Sequence, residues 1–219
     1  MNLKEYILRE IKELDLSETV KQAQKLFKNF PITHIPIVEN GVLIGCISES
    51  DTQTLEDNST QLSTHSHLID LFYSKEDITI LELIKLFADH DCNMIPVINK
   101  ERRYQGYFEL SDILDVFSNS PFLHNNGVEI VVEKLKKEYS SSEISQIVES
   151  NNGKLLGLYI SNETNDVTQV TLKVSSDDIN EIIQTFRRYN YNIISQYKDD
   201  FYLQDLKDRS EYLQKYLDI

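Results

Sequence analysis

The sequence predicts a mixed α/β (α+β) protein made of a duplicated module followed by a separate C-terminal unit. Three observations carry this. "HIPIVENGVLIGCISESD", residues 34–51, returns in grammar as "MIPVINKERRYQGYFELSD", residues 94–112. Each copy follows a stretch with apolar residues at helical spacing. Beyond residue 127 the segments change order to βαββαβ, so the third part of the chain is a different unit.

The elements follow in chain order. In "LDLSETVKQAQKLFKNF" Asp15 and Ser17 offer a cap, and Val20, Ala23, Leu26 and Phe27 recur at helical spacing. "ITHIPIV" reads as a strand, "ENG" as a tight turn, "VLIGCIS" as a second strand and "SDTQTLED" as the entry to a further helix. The second copy repeats this order. "EDITILELIKLFADHD" places Ile80, Leu83, Ile84 and Phe87 on one helical face, "NMIPVI" and "YQGYFE" are strands, and "LSDILDVF" opens a closing helix. Thr79 lies sixty positions after Thr19 and Pro96 sixty after Pro36, whereas Gly106 follows Gly45 and Asp112 follows Asp51 by sixty-one. The extra residue falls in the turn, where insertion disturbs least. Neither copy of roughly 60 residues has much core of its own, so the two are expected to pack sheet to sheet.

"SNSPFLHNNG" is polar, lacks periodicity and reads as a linker, residues 120–127. After it come "VEIVVEKL" (strand), "SSEISQIVESNN" (helix), "GKLLGLYISN" and "DVTQVTLKVSS" (strands), "DDINEIIQTFRRYN" (helix) and "YNIISQY" (strand). That βαββαβ order over residues 128–198 is the ferredoxin-like arrangement. The tail, residues 199–219, reads as a helix with Leu203, Leu206, Leu213 and Leu217 along one seam. Packing on its own domain and a dimer contact both fit it.

Composition sets outer limits. The chain of 219 residues is 40% hydrophobic and 26% charged, an ordinary globular balance. No apolar run approaches a membrane span, and the charged start "MNLKEYILREIKEL" is unlike a secretory signal, so a cytoplasmic location without membrane contact is expected. With 36 acidic and 22 basic side chains the net charge is −14, whose field repels polyanions, and nucleic acid is a poor partner. A small nucleotide held by local dipoles remains compatible with that field. Cys46 and Cys92 stand in apolar segments without metal-ligand neighbours and read as core. His65 and His67 form an H-x-H pair with no third ligand nearby and read as solvated side chains. No Ser-His-Asp or Cys-His constellation and no Gly-rich phosphate loop is present, and no enzyme is expected.

The succession of helix, apolar-Pro-apolar strand, turn, Gly-containing strand, Ser/Thr-x-x-Asp and helix resembles the cystathionine-β-synthase (CBS) domain, here as a tandem pair over residues 1–119. The resemblance implies a regulatory module with two clefts for adenine nucleotides (AMP, ADP or ATP), in which the motif Asp accepts hydrogen bonds from the ribose hydroxyls and the Ser/Thr sits near phosphate. By position the first copy supplies Ser48 and Asp51, and the second Asp112. A carboxylate suits a vicinal diol, and a helix N-terminus favours anions. The second copy departs from the pattern, carrying Glu109 where Ser or Thr belongs, so the two clefts are expected to be unequal. No cation stands near either motif unless Lys100, Arg102 or Arg103 reaches back from the second turn. Two readings stay open for Asp51 and Asp112: ribose acceptors, or plain helix caps.

Residues 128–198 resemble an ACT domain, and a CBS pair followed by such a unit is similar to regulatory proteins of the acetoin-utilisation type. The segment "KKEYSSSE" lacks the glycine turn of amino-acid-binding ACT domains, which favours pairing by side-by-side sheets or a structural cap. The functional expectation is a homodimeric regulator that takes an adenine nucleotide as ligand, with no metal or other cofactor. The alternative is a ligand-free scaffold whose function lies in an unidentified protein partner.

Overall fold

A computed structural model describes residues 2–195. The chain divides into two compact units, one ending at Asn119 and the other beginning at Ser120.

In the first unit α1 (Val20–Asn29) leads into the hairpin of β1 (His34–Glu39) and β2 (Val42–Ser48) and then α2 (Glu49–Thr54). The second copy adds a short entry strand, β3 (Ser74–Lys75), before α3 (Ile80–Asp89), the hairpin of β4 (Met94–Ile98) and β5 (Tyr104–Glu109), and α4 (Leu110–Ser118). Thr19 and Thr79, not Asp15 or Ser17, cap the two leading helices. Each closes a capping box with the residue three further on, Gln22 or Glu82. Asp15 instead accepts from the Ser17 backbone and hydroxyl in a local turn.

The duplication extends to irregularities. Register slips between Ile37 and Val38 in one hairpin and between Val97 and Ile98 in the other, leaving Ile44 and Gln105 unpaired beside Gly45 and Gly106. Those glycines make room for a neighbour. A Cβ on Gly45 would lie 2.7 Å from the Asp70 carbonyl oxygen, and one on Gly106 would lie 2.2 Å from that of Leu8, with φ at +131°.

Those neighbours come from the other repeat. Leu8, on the segment entering the first repeat, exchanges backbone hydrogen bonds of 2.8 and 3.0 Å with Tyr107 of β5, and Asp70, entering the second, does so with Cys46 of β2 at 2.9 and 2.7 Å. The cores follow the same exchange. Tyr107 is buried in the first repeat's cluster with Val20, Phe27 and Ile35, while Cys46, its counterpart at an offset of sixty-one, is buried in the second's with Leu83, Phe87 and Phe108. The hairpins also meet at their turns, where the Tyr104 amide donates to the Gly41 carbonyl at 3.0 Å. Val38, Leu43 and Ile98 bury a small shared cluster there.

The second unit holds α5 (Pro121–His124), β6 (Val128–Leu135), α6 (Ser141–Ser150), β7 (Lys154–Glu163), β8 (Val167–Ser175), α7 (Ile179–Arg188) and β9 (Asn192–Ile193). Its antiparallel sheet runs β7-β8-β6-β9, the order of a ferredoxin-like βαββαβ unit. Ile144, Ile147, Ile182 and Phe186 of the helices fill the core against Ile130, Val132, Val170 and Leu172 of the sheet.

Residues 120–127, read from sequence as an open linker, contain α5, because Pro121 at its first position supplies a φ suited to a helix start. Phe122 lies over Gly157 of β7, where a Cβ would stand 2.4 Å from its ring, and Lys173 donates to the Leu123 carbonyl at 2.8 Å. The tail helix expected over 199–219 lies outside the described residues.

Candidate functional site

Thr33 and Asn93, equivalent at an offset of sixty, bond to each other where the two middle strands begin. Asn93 Oδ1 accepts from the Thr33 amide at 2.9 Å and from its hydroxyl at 3.1 Å, and the Asn93 amide donates to Thr33 Oγ1 at 3.0 Å. The Thr33 carbonyl in turn accepts from the Glu49 amide, and that of Asn93 from the Leu110 amide, which ties the start of each motif helix to this joint. The two motifs therefore stand in matched places around a pseudo-twofold axis.

In the first repeat Ser48 is the N-cap of α2 and Asp51 its third residue. The Asp51 amide donates to Ser48 Oγ at 3.0 Å, while the Ser48 hydroxyl donates to Asp51 Oδ2 at 2.6 Å. The capping role thus belongs to Ser48. One oxygen of the half-buried Asp51 is held in place and the other remains open to an incoming donor. His34 stands directly across the hairpin from Ser48, its Nδ1 3.0 Å from Thr33 Oγ1. Phe72, buried, meets the His34 ring edge-on at 5.4 Å and stacks on His90 at 4.3 Å. Burial holds the His34 pKa below its ordinary value, against the upward pull of Asp51, Asp70 and Asp91, and His90 adds to the depression.

The corresponding positions of the second repeat are Glu109, Asp112 and Met94, with Met94 across the hairpin from Glu109. Glu109 stands at the N-cap of α4 but makes no capping bond, and its carboxylate accepts from the Ser111 hydroxyl at 2.8 Å instead. The Asp112 pKa is raised by partial burial and by the charges of Glu109, Asp115 and Glu10. A hydroxyl and an imidazole on one side are replaced by a carboxylate and a thioether on the other.

The sequence reading missed His34, although laying the repeats over each other marks it: it precedes "IPIV" where Met94 precedes "IPVI". Lys100, Arg102 and Arg103 do not reach back to the second motif. They sit at the turn of a hairpin whose opposite end pairs Met94 with Glu109, about 15 Å away at the rise of an extended strand.

His65 and His67 lie in a 3₁₀ segment, Leu62–Leu68, with rings 6.3 Å apart and His65 Nε2 2.8 Å from Thr60 Oγ1. Among the described residues no cluster of His, Cys, Asp and Glu is arranged to hold a metal ion, and no helix is long and apolar enough to cross a membrane. Both cysteines are buried, which raises the Cys92 thiol to about 11 and the Cys46 thiol well above its usual value.

The class this geometry defines is a duplicated α/β module whose two motif helices, α2 and α4, start at matched places, each after the second strand of its hairpin. Residues 3–52 and 67–119 each match the family model described as the CBS domain, so the N-terminal unit is a tandem CBS pair. The match ends at residue 119, and the second unit's likeness to an ACT domain rests on its topology alone. Among curated proteins the chain is 25% identical over 114 residues to an uncharacterized protein of Methanocaldococcus jannaschii, covering 52% of this chain and 43% of that protein. It is also 25% identical over 111 residues to the inosine-5'-monophosphate dehydrogenase of the same organism, covering 50% of this chain and 22% of that enzyme, in the enzyme's CBS portion. The chain thus spans less than half the length of either relative. A solved structure of similar fold is a CBS domain pair/ACT domain protein from Thermotoga maritima, at 21% identity and a TM-score of 0.48, covering 53% of this chain and 96% of that one. Another is CBSX2 in complex with AMP, at 12% identity and a TM-score of 0.46, covering 53% and 95%.

Proposed function

We propose that the CBS pair is a regulatory sensor of an adenine nucleotide, and that the cleft built on Ser48 and Asp51 is the working site. The observation that carries this is the contrast between matched positions: Ser48, Asp51 and His34 in one copy, Glu109, Asp112 and Met94 in the other. In this reading the open oxygen of Asp51 accepts from the ribose diol, and Ser48 and His34 face the phosphate end. Asp112 would accept the diol in the second cleft, but Glu109 and Glu10 raise the cost of bringing phosphate there. A ligand bridging two repeats that exchange edge segments shifts the module toward whichever arrangement it binds more tightly, by no more than that difference in affinity.

The organisation that goes with this reading is a CBS pair over residues 1–119, a joining segment over 120–127 and an ACT-like pairing unit over 128–198, in a cytoplasmic homodimer. Calorimetric titration of AMP, ADP and ATP tests it, with Asp51→Ala and Asp112→Ala in parallel. The expected result is AMP binding lost at least about tenfold in Asp51→Ala and little changed in Asp112→Ala. Absence of heat with all three nucleotides in the folded protein overturns the reading. One observation favours the alternative of a ligand-free scaffold: Phe72 already stacks on His90 and abuts His34 in the first cleft. Recovery of a stoichiometric partner irrespective of nucleotide would support that alternative.

A further inference from the structure

We infer that the first unit carries a second anion site, at the opposite end of the hairpins from Asp51 and Asp112, for small molecules bearing two or more linked phosphates. A cavity of about 530 Å³ opens where β3 and β4 end side by side, with Lys4, Lys75, Lys100 and Arg102 in its wall and Tyr73 and Ile98 as its apolar part. That volume is in the range of small-ligand sites.

Its electrostatics run against those of the molecule. In a chain of net charge −14, four cations line one recess that contains only two carboxylates, Glu76 and Asp77. Lys4 is paired with Glu76 at 3.0 Å. Lys75, Lys100 and Arg102 form no ion pair among the described residues, so their charges are available to a ligand. One unpaired cation on a surface is ordinary, but three on one concave wall with a single remaining carboxylate make a local field that attracts multivalent anions.

The turn that delivers two of these cations departs from its counterpart. The first hairpin turns on Asn40 and Gly41, with φ of 51° and 80°, whereas the second holds Arg102 at φ 61°, a conformation that disfavours a long side chain. Asn99 Oδ1 fixes the loop by accepting from the amides of Glu101 and Arg103 at 3.0 and 2.9 Å. A cation thus stands where backbone geometry alone favours glycine or asparagine, an outlier of the kind that marks functional sites. Linked phosphates match this wall because their charges are multivalent and closely spaced, as arginine and lysine donors require.

The test is titration of tripolyphosphate and, separately, ATP into four full-length proteins: the parent, Asp51→Ala, Arg102→Gly and the double variant Lys100→Ala/Arg102→Gly. Arg102→Gly is safe for folding, since glycine suits φ 61°. Binding of tripolyphosphate to the parent and to Asp51→Ala alike, weakened at least tenfold in the double variant, is expected. ATP behaving in the same way in the Asp51→Ala background would extend the ligand class to nucleotide polyphosphates. Lack of tripolyphosphate binding to the parent, or full retention by the double variant, overturns the inference. Because Asp51→Ala spares this cavity and Arg102→Gly spares the nucleotide cleft, failure here and failure of the nucleotide reading are separate results.

Discussion

Glu109 sets the second motif apart from the first. Its counterpart Ser48 is neutral, caps its helix and donates a hydrogen bond to Asp51, whereas Glu109 leaves the cap unmade and adds charge beside Asp112. Replacing it, Glu109→Ser, is expected to lower the Asp112 pKa toward its ordinary value and to strengthen nucleotide binding at that cleft about five- to tenfold. Carboxyl NMR titration and calorimetry check the two halves. His34 gives a separate signature. Its folded pKa is below the ordinary 6.5, so in the window beneath 6.5 the unfolded chain binds more protons than the native one. The stability it contributes above that window is therefore lost as pH falls through it. His34→Gln is expected to flatten the pH dependence of Tm in the window just below about 6.5, and an unchanged slope would remove the histidine from the account.

At the scale of elements, the strand-edge glycines matter more than the turns. Hairpin turns tolerate an extra residue here, the five positions from Asn99 to Arg103 standing where the first hairpin has the four from Glu39 to Val42. Gly106 tolerates nothing, because the Leu8 carbonyl occupies the space of a Cβ and the backbone is at φ +131°. Gly106→Ala is expected to destabilise the first unit by about 3 kcal/mol through combined clash and strain, measured as a shift of the urea midpoint. A loss below about 1 kcal/mol would show that the entry segment yields easily. The bulges at Ile44 and Gln105 explain why such glycines sit where they do: each unpaired residue bends its strand toward the segment arriving from the other repeat.

For the molecule as a whole, the consequence of exchanged edges is that neither repeat is an independent folding unit. Leu8 lies in the entry segment of the first repeat yet pairs with β5 of the second. Leu8→Pro, which deletes the amide that donates to the Tyr107 carbonyl, is expected to cost about 1–3 kcal/mol and to appear in β5 and not in β2. Hydrogen exchange checks this. The Tyr107 amide, which bonds back to Leu8, should lose at least about tenfold of its protection while the amides of β2 keep theirs. Equal loss in both hairpins would mean that the pair opens as one body. In the second unit the sheet closes on its own core, with β6 central between β8 and β9.

The sequence by itself determined the duplication, the two hairpins and their leading helices, and the βαββαβ order of the second unit. Those features rest on local periodicity, on Pro and Gly placement and on a constant offset, all of which lie within a few neighbouring residues. It also marked Ser48, Asp51 and Glu109, because a motif is a short string. Only the tertiary structure decided that Leu8 and Asp70 cross to the other repeat's sheet, that Thr33 meets Asn93, and that His34 stands across from Ser48. It alone put Lys4 and Lys75 in one cavity with Lys100 and Arg102. Each of these joins segments up to about a hundred residues apart by backbone pairing or shared burial, and such pairings are set by the closure of a common core that no local pattern encodes.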